Sequence, residues 1–280
     1  MTEKPRTPKD THYARLRRAH RAASGKEAPP RQRPSAPGEA PPSGRLRLYG
    51  LHTVAAALVN PRRRIHQLWA TRNALERLDL GAMPDVPTKI VEPRALDRLL
   101  GGEAVHQGMA LEVDPLTPKP LRGLSDAFLI IVLDQVTDPH NVGAILRSAV
   151  AFGAGAVVST ARHSPQEGGV LAKAASGALE HIDLVEVRNL ADALQILRDD
   201  GWWTVGLDSE GPHELEASLS GKRIALVLGA EGKGLRQKTR ETVDALARLD
   251  LPGKIRSLNV SNAAAVALYA ARLHLNGVRA

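Results

Sequence analysis

Residues 257–262 read Ser-Leu-Asn-Val-Ser-Asn, and they join a short apolar run at 245–251 to an alanine-rich segment. An apolar strand that runs through a polar turn into a helix is the repeating unit of an α/β fold. The unpaired N–H groups at such a helix start favour a carboxylate or a phosphate group. We therefore take Ser257 and Asn259 as candidate binding residues, and Ser261 as the expected N-cap of the helix.

The region from residue 126 onward repeats this pattern of short apolar strands and amphipathic helices. Its predicted strands are 128–133, 156–159, 182–187, 203–207, 224–228 and 245–251. Its predicted helices are 142–152, 167–179, 190–199, 235–242 and 262–275. Apolar strands that alternate with helices indicate a mostly parallel sheet covered on both faces. Ligands of such sheets bind beyond the carboxyl ends of the strands.

Two further polar segments follow predicted strands, at residues 134–147 and 227–234. In the first, Asn141 is placed to N-cap a helix on which Arg147 stands among apolar residues, as expected for an arginine that binds an anion or a buried partner. In the second, three glycines permit close backbone approach to a ligand, and Glu231 is the only acidic residue. Together with the turn described above, these segments predict one ligand site built from three loops.

The residues before 126 divide into three predicted parts. Residues 1–45 hold eight of the nineteen prolines and one aromatic residue, which predicts a disordered tail. Residues 46–114 read as a small α/β domain, and a Pro-rich connector at 115–125 suits a stiff link to the second domain at 126–280. The predicted elements of the small domain are strands 65–70, 89–91 and 108–113 and helices within 50–58, 73–80 and 93–100.

Charge and composition limit the class of protein. The net charge is +8, and the tail supplies most of it, with eleven Lys or Arg against four acidic residues. Such a polycation raises affinity for nucleic acid by counterion release, although a solvated leader is the alternative. The chain has no cysteine, which excludes disulfides and thiolate metal sites. It lacks an apolar run of about 18 residues and a secretory h-region, so we expect a cytoplasmic protein; a transit peptide is the alternative.

Several familiar chemistries do not fit the motifs. No G-x-G-x-x-G follows the first strand of the large domain, and the glycines around Gly232 are not spaced as in a phosphate-binding Walker loop. The sequence contains neither the H-E-x-x-H motif of metalloproteases nor the G-x-S-x-G motif of serine hydrolases. From the residues alone, the prediction is an α/β enzyme with an anion-binding loop site and no metal.

The three polar segments resemble the motifs of the SpoU-TrmH family of RNA 2′-O-ribose methyltransferases, in the knotted SPOUT class. Residues 138–149 resemble the first motif, 228–232 the second and 249–261 the third, in the family's order. Residues 49–54 and 106–108 are similar to the substrate-binding domain of the subgroup that methylates a 23S rRNA guanosine, a domain like ribosomal protein L30e. The third motif departs from the family's Ile-Pro-Met, because Leu249-Asp250-Leu251 stands there.

The resemblance implies a fold, a cofactor and roles for individual residues. The fold would be an α/β SPOUT domain with a deep trefoil knot, preceded by the L30e-like domain, and the enzyme would be a homodimer. S-adenosylmethionine would bind at the knot loops, without a metal. The residues implied at the cofactor are Gly229, Leu249, Leu251 and Leu258. The residues implied in catalysis are Arg147, Asn141, Glu231, Ser257 and Asn259.

The implied reaction is transfer of the sulfonium methyl group to a ribose 2′-oxygen. Because a guanidinium stays protonated in proteins, we expect Arg147 to hold the adjacent phosphate and stabilise charge that develops on the 2′-oxygen. The RNA would be 23S rRNA, with tRNA as the alternative target. A catalytically inactive RNA-binding ribosome-assembly factor and a metabolic enzyme that binds nucleotides or phosphates are the alternatives from other functional classes.

Overall fold

The computed structural model describes residues 38–78, 85–124, 126–162 and 165–279, which form two β-sheets. Residues 1–37 of the predicted tail lie outside this part of the chain, as do residues 79 and 80 of the predicted helix 73–80. Within the described part, no helix combines the length and the apolar character needed to cross a membrane.

Within the residues that the structure describes, the small lobe has four strands and three helices. The strands are β1 (Leu46–Tyr49), β2 (Ile65–Ala70), β3 (Thr88–Ile90) and β4 (Met109–Val113), and the helices are α1 (Leu51–Val59), α2 (Arg72–Glu76) and α3 (Pro93–Leu100). The strand order is β1–β4–β2–β3, and β4 pairs antiparallel with both of its neighbours. This central position explains why every residue of β4 is buried. The sequence prediction lacks β1, although its Leu-Arg-Leu-Tyr sequence alternates as a half-buried strand does.

The segment before β1 lies against this sheet. The backbone N–H of Glu39 donates to the carbonyl of Arg98 at 3.3 Å, and the Arg45 guanidinium donates to the Glu112 carboxylate at 2.8 Å. Residues 38–45 therefore contact the small lobe, although the sequence prediction assigns them to the tail.

The described part of the large lobe has seven strands, and each pair of neighbouring strands is parallel. The strands are β5 (Leu129–Asp134), β6 (Ala156–Thr160), β7 (Asp183–Val187), β8 (Trp203–Leu207), β9 (His213–Glu214), β10 (Ile224–Gly229) and β11 (Ala245–Arg248). Their order is β7–β6–β5–β10–β8–β11–β9. The predicted mostly parallel sheet is confirmed, and β9 is a two-residue edge strand too short for an apolar pattern to reveal.

Helices cover both faces of the large sheet. They are α4 (Pro139–Ala151), α5 (Gly169–Ala175), α6 (Leu190–Asp199), α7 (Leu215–Ser218), α8 (Gln237–Thr242) and α9 (Val260–Arg279). Successive residues of β5 point to opposite faces, so Ile131 joins the core beneath α4, α5 and α9, while Ile130 joins the core beneath α6. Burial on both faces explains the continuous apolar runs of the central strands. The knot that the family resemblance implies stays a prediction.

Two predicted elements end earlier than the sequence pattern indicates. The helix predicted at 167–179 ends at Ala175, because Ser176 and Gly177 have φ angles of 52° and 92°, and a 3₁₀ turn over Ala178–His181 follows. The strand predicted at 245–251 ends at Arg248, since its partners β8 and β9 extend no further along it. The residues at 249–251 therefore belong to a loop.

The carboxyl ends of four adjacent strands lie level in the large sheet. The register pairs Asp134 of β5 with Gly229 of β10, Leu228 of β10 with Leu207 of β8, and Leu207 with Ala247 of β11. The loops that leave these strands therefore start from one line along the edge of the sheet. A ligand site at this edge is the geometry expected of an open parallel sheet.

Asp134 anchors one of these loops. Its side chain is fully buried at the end of β5, and it accepts hydrogen bonds from Nε of Arg236 at 2.6 Å and from the backbone N–H of Arg236 at 3.0 Å. These bonds explain why α8 begins at Gln237, two residues after the predicted start of that helix. They also hold the chain that leaves β10 against the end of β5.

We predict that Asp134→Ala lowers the free energy of unfolding by about 1–3 kcal/mol, because it leaves the backbone N–H of Arg236 without its buried acceptor. Urea unfolding followed by circular dichroism measures the change. Glu186→Ala, which removes an exposed carboxylate from β7, serves as the control and should alter stability by no more than about 0.5 kcal/mol. Equal stability of the two variants would contradict the anchoring role of Asp134.

Candidate active site

A cavity of about 330 Å³ lies at the aligned ends of β10, β8 and β11. The loop after β10 contributes the glycine-rich segment around Glu231, and the loop after β11 contributes residues from Leu249 to Asn259. The residues that line it are Leu207, Asp208, Ser209, Leu228, Gly229, Ala230, Glu231, Gly232, Gly234, Leu249, Leu251, Arg256, Ser257, Leu258, Asn259, Val260 and Ala263. Its volume falls within the usual range for small-molecule sites, about 300–1,000 Å³.

Most of the residues that the sequence singles out lie around this cavity. Gly229, Glu231, Ser257 and Asn259 line it, as do the three leucines at 249, 251 and 258. The second and third polar segments of the sequence thus meet in space. The first segment takes part through Asn141, which does not line the cavity but contacts two residues that do.

Asn141 joins the three segments by hydrogen bonds. Its carbonyl oxygen accepts from Nδ2 of Asn259 at 3.0 Å, and its own Nδ2 donates to the Glu231 carboxylate at 3.5 Å. An amide side chain offers both an acceptor and donors, so it can bind one loop through each end. Asn141 therefore holds the loop after β10 and the loop after β11 to the start of α4.

The structure changes the predicted capping residues. Asp138 caps α4, accepting from the backbone N–H of His140 at 3.0 Å, so Asn141 lies inside the helix and its side chain is left free to reach the loops. Asn259 caps α9, because its Oδ1 accepts from the backbone N–H of Ser261 at 2.9 Å and from the Ser261 hydroxyl at 2.6 Å. The predictions of Asn141 and Ser261 as N-caps were wrong, since in each case a residue two or three positions earlier performs that role.

Gly229 occupies a position that no side chain can share. A Cβ atom there would overlap the backbone of Gly234 and of Leu235. The loop turns back sharply because Gly232 and Gly234 have φ angles of 78° and 65°, and the N–H of Gly234 donates to the carbonyl of Ala230 at 2.8 Å. Three glycines thus fold the loop back over the end of β10 and leave backbone groups at the cavity wall.

The sequence predictions missed the contribution of β8. Leu207, Asp208 and Ser209 line the cavity between the two predicted loops, because β8 lies between β10 and β11 in the sheet. The Asp208 carboxylate accepts a hydrogen bond from Arg240, which fixes its orientation. The polar run Asp-Ser-Glu-Gly directly after the strand was a usable signal, but its importance depends on a strand order that the sequence does not reveal.

Arg147 lies apart from the cavity lining within one chain. It stands on α4, six residues after Asn141, which corresponds to about 9 Å along the helix axis. Its side chain is exposed, and within the described residues its guanidinium has no hydrogen-bond or ion-pair partner. Among the described residues, the buried partner that the sequence leaves open as one possibility is not found, and the guanidinium is exposed to an anion from solution.

The character of the lining limits what the cavity can hold. Five leucines supply an apolar wall, while carboxylate, hydroxyl and amide groups and the backbone of the glycine loop supply polar contacts. Such a surface suits an elongated molecule with an apolar part and a polar part. Among the residues that the structure describes, no group of three His, Asp or Glu side chains has the arrangement of a metal site.

Comparison with known proteins identifies both lobes. The sequence model described as the SpoU rRNA Methylase family matches residues 128–269, and that described as RNA 2′-O ribose methyltransferase substrate binding matches residues 47–119. The chain is 40% identical over 238 residues to the 23S rRNA (guanosine-2′-O-)-methyltransferase RlmB of Pseudomonas putida, covering 80% of this chain and 95% of that protein. The protein of that name from Escherichia coli is 37% identical over 239 residues, covering 80% and 96%.

The fold has solved relatives as well. The structure of the SpoU methyltransferase AviRb from Streptomyces viridochromogenes in complex with AdoMet superimposes with a TM-score of 0.70 at 22% identity, covering 83% of this chain and 91% of that chain. This similarity extends over both lobes. With a family model across more than half of the chain and curated relatives matched over nearly their whole length, the protein belongs to the SpoU rRNA methylase family.

Proposed function

We propose that the protein transfers a methyl group from S-adenosylmethionine to the ribose 2′-oxygen of a guanosine in 23S rRNA. The observation that carries this proposal is the meeting of the three family motifs at one cavity, joined by Asn141. The choice of guanosine and of 23S rRNA rests on the Pseudomonas putida and Escherichia coli relatives, which bear that activity in their names. The reaction takes place in the cytoplasm, where ribosomal RNA is found in bacteria.

The cavity suits S-adenosylmethionine. The leucines at 249, 251 and 258 would pack against the apolar parts of the cofactor, and Gly229 leaves the backbone of its loop open to hydrogen bonding. When bound, the cofactor supplies a methyl group on a positively charged sulfur. The related AviRb structure contains this cofactor, AdoMet. Of the three residues of the third motif that depart from the family pattern, Leu249 and Leu251 keep apolar side chains at the cavity, and Asp250 does not line it.

The protein must then position the ribose and favour loss of its hydroxyl proton. Arg147 is the residue we assign to the RNA, because its exposed guanidinium is free to bind a phosphate next to the reacting ribose. In that position its charge stabilises the negative charge that develops on the 2′-oxygen. Asn141, Glu231, Ser257 and Asn259 orient the ribose-phosphate and keep the two loops in place. Such alignment of two reactants contributes several kcal/mol, with roughly 7–11 kcal/mol as the upper range.

Positive charge around the cavity supports an RNA substrate. Lys233 lies in the loop after β10, and Lys254 and Arg256 lie in the loop after β11, all three exposed to solvent. An RNA backbone that approaches the cavity meets these cations as well as Arg147, which favours binding by displacement of counterions. The small lobe would recognise a folded RNA element by its shape, as RNA-binding domains commonly do.

We also propose a homodimer that forms through α9. This helix exposes Val266, Tyr269 and Leu273 at helical spacing, with 47%, 54% and 53% of their surfaces accessible, and the Tyr269 ring contacts Phe152 at 5.9 Å between centroids. A stripe of three large apolar residues on one helix face is typical of a protein–protein interface. A second copy of the chain is the natural occupant, since a two-fold axis pairs the stripe with itself.

Methyl transfer to RNA in solution tests the proposed function directly. The purified protein, tritiated S-adenosylmethionine and 23S rRNA from a strain without the corresponding gene should give 2′-O-methylation at one guanosine, located by primer extension at low nucleotide concentration. Methylation of tRNA instead would assign the tRNA activity. Cofactor and rRNA binding without transfer would favour the inactive assembly factor, and absence of both cofactor and RNA binding would contradict the family-based function altogether.

We predict that Arg147→Ala lowers the rate of methyl transfer at least 100-fold while the affinity for S-adenosylmethionine changes less than 3-fold, because Arg147 lies outside the cofactor cavity. A 100-fold loss corresponds to about 2.7 kcal/mol of transition-state stabilisation. Single-turnover transfer and calorimetric titration measure the two quantities. Arg122→Ala removes another exposed arginine and should keep full activity. Full turnover by Arg147→Ala would exclude Arg147 from the reaction.

A charge placed in the apolar stripe should separate the two subunits. Tyr269→Glu buries a carboxylate in the proposed interface, so we expect a monomer in sedimentation velocity where the wild-type chain sediments as a dimer. Val105→Glu alters a residue of the small lobe that is 68% exposed, and it should leave the dimer intact. A wild-type monomer, or a Tyr269→Glu dimer, would show that α9 is not the interface.

A further inference from the structure

An almost fully buried arginine joins the two lobes. Arg63 follows α1 in the small lobe, and its side chain has no solvent exposure. Its Nε and Nη2 donate to the two oxygens of Glu180 at 3.1 and 2.5 Å, and its Nη1 donates to Glu167 at 2.5 Å. The same Nη1 donates to the carbonyl of Asp114 at 3.0 Å. Both carboxylates belong to the large lobe, so the guanidinium is held from three directions.

The partners of Arg63 are themselves held by hydrogen bonds. Glu180, on the 3₁₀ turn before β7, also accepts from Nδ2 of Asn60 at 2.6 Å. Glu167, ahead of α5, also accepts from the backbone N–H of Leu116 at 2.8 Å. Burial opposes the charge on Arg63, but the hydrogen bonds and proximity of the two carboxylates outweigh that effect and raise the guanidinium pKa. The arginine therefore stays charged, and its bonds are charge-assisted and directional.

The connector between the lobes is fastened in the same region. The backbone N–H of Lys119 donates to the carbonyl of Leu184 in β7 at 2.7 Å, and the Lys119 ammonium donates to Asp183 at 2.7 Å. Arg62 donates to the other oxygen of Asp183, also at 2.7 Å. Residues 114–119 thus run along the large lobe, attached to it by backbone and side-chain bonds.

Apolar packing continues across the same boundary. A single buried apolar cluster includes Leu48 and Val54 of the small lobe together with Leu171 and Ile145 of the large lobe. The hydroxyl of Thr53 in α1 donates to the carbonyl of Ala172 in α5 at 3.1 Å, away from solvent. Apolar contacts alone hold surfaces together without fixing their orientation, since they are not directional. The planar guanidinium of Arg63 makes directional hydrogen bonds, which the apolar core does not provide.

We propose that Arg63 is a positioning residue for the reaction: with Glu180 and Glu167 it fixes the small lobe in one orientation relative to the methyl-transfer cavity. This inference rests on the proposed function, in which the small lobe recognises the RNA. The cluster lies beside β7, and the cavity begins at β10, three strands away in the sheet. Three strand spacings amount to about 14 Å. The two lobes then form a rigid body that accepts RNA in which the recognised element and the target ribose are separated by a fixed distance.

Stability alone does not require these charges. A buried ion cluster can be replaced by apolar residues of similar volume with little loss, or even a gain, in stability. What apolar residues cannot supply is the planar fork, which matches a carboxylate in only a narrow range of orientations. A variant that keeps the apolar packing but lacks the guanidinium therefore shows whether Arg63 fixes the orientation of the lobes in addition to any effect on stability.

The lobe orientation can be measured without any activity. The chain has no cysteine, so Glu103→Cys in the small lobe and Glu241→Cys in the large lobe, both exposed positions, accept spin labels at those sites alone. Electron–electron double resonance on labelled chains mixed with an excess of unlabelled chains should give one narrow distance distribution for the otherwise unchanged chain. We expect a distribution at least twice as broad for Arg63→Ala and for the apolar replacement Arg63→Met with Glu167→Gln and Glu180→Met. If Arg63→Ala does not fold, the combined replacement of Arg63, Glu167 and Glu180 still tests the proposal.

Kinetics then show whether orientation serves the reaction. For the apolar replacement we expect kcat/KM on intact 23S rRNA to fall at least 10-fold, mainly through KM, while the affinity for S-adenosylmethionine changes less than 2-fold. Arg62→Ala, which removes the half-exposed pair with Asp183 and a 3.5 Å hydrogen bond to the backbone carbonyl of Glu180 but keeps the Arg63 guanidinium, should change kcat/KM less than 3-fold. A folded Arg63 variant with an unchanged distance distribution, or with unchanged kcat/KM on rRNA, would overturn the proposal. Absence of methyl transfer by the wild-type chain would instead contradict the proposed function, while the distance measurement would still stand.

Discussion

The candidate site depends on the register of the parallel sheet at its carboxyl edge. On four adjacent strands Asp134 is paired with Gly229, and Leu207 is paired with both Leu228 and Ala247, so the loops that follow these strands begin side by side. Hydrogen bonds between backbone groups set this register, and the burial of both sheet faces protects it, because a slip of one residue would exchange the two cores. Asn141 then ties two of these loops to the start of α4. A residue 118 positions before Asn259 in the chain thereby holds the loops of the cavity in place.

The cavity and the boundary between the lobes differ in the kind of contact that they contain. Around the cavity the polar groups are partly exposed, the glycine loop carries positive φ angles, and Arg147 has no partner within the described residues. These features leave room for a cofactor and an RNA strand. At the boundary between the lobes the charges of Arg63 and Glu180 are buried and joined to each other by two hydrogen bonds. The cavity is therefore accessible to solvent, whereas the contact between the small lobe and the large lobe is buried and hydrogen-bonded.

The amino-acid pattern predicts the α/β class, the parallel sheet and most of the strands, because apolar runs report burial on both faces. It also predicts that the loops at 227–234 and 257–262 share a site, since both follow strands. It does not reveal that β8 lies between β10 and β11, so the lining by Leu207 and Asp208 was missed. The N-caps of α4 and α9 were predicted two or three residues too late, because Asp138 and Asn259 have neighbours of similar chemistry that could also cap a helix. The ion cluster of Arg63 escaped notice, since contacts over more than a hundred residues leave no periodic signal.

Calorimetric titration of S-adenosylmethionine into the purified protein tests the central claim, that the loops after β8, β10 and β11 form one cofactor cavity. We predict that one molecule binds per chain. We also predict that Gly229→Ala weakens binding at least 10-fold, or about 1.4 kcal/mol, because a Cβ atom there overlaps the backbone of Gly234 and Leu235. Gly253→Ala, at a glycine whose added Cβ would meet no neighbouring atom, should bind as the wild-type chain does. No binding by the wild-type chain, or equal binding by Gly229→Ala, would contradict the account.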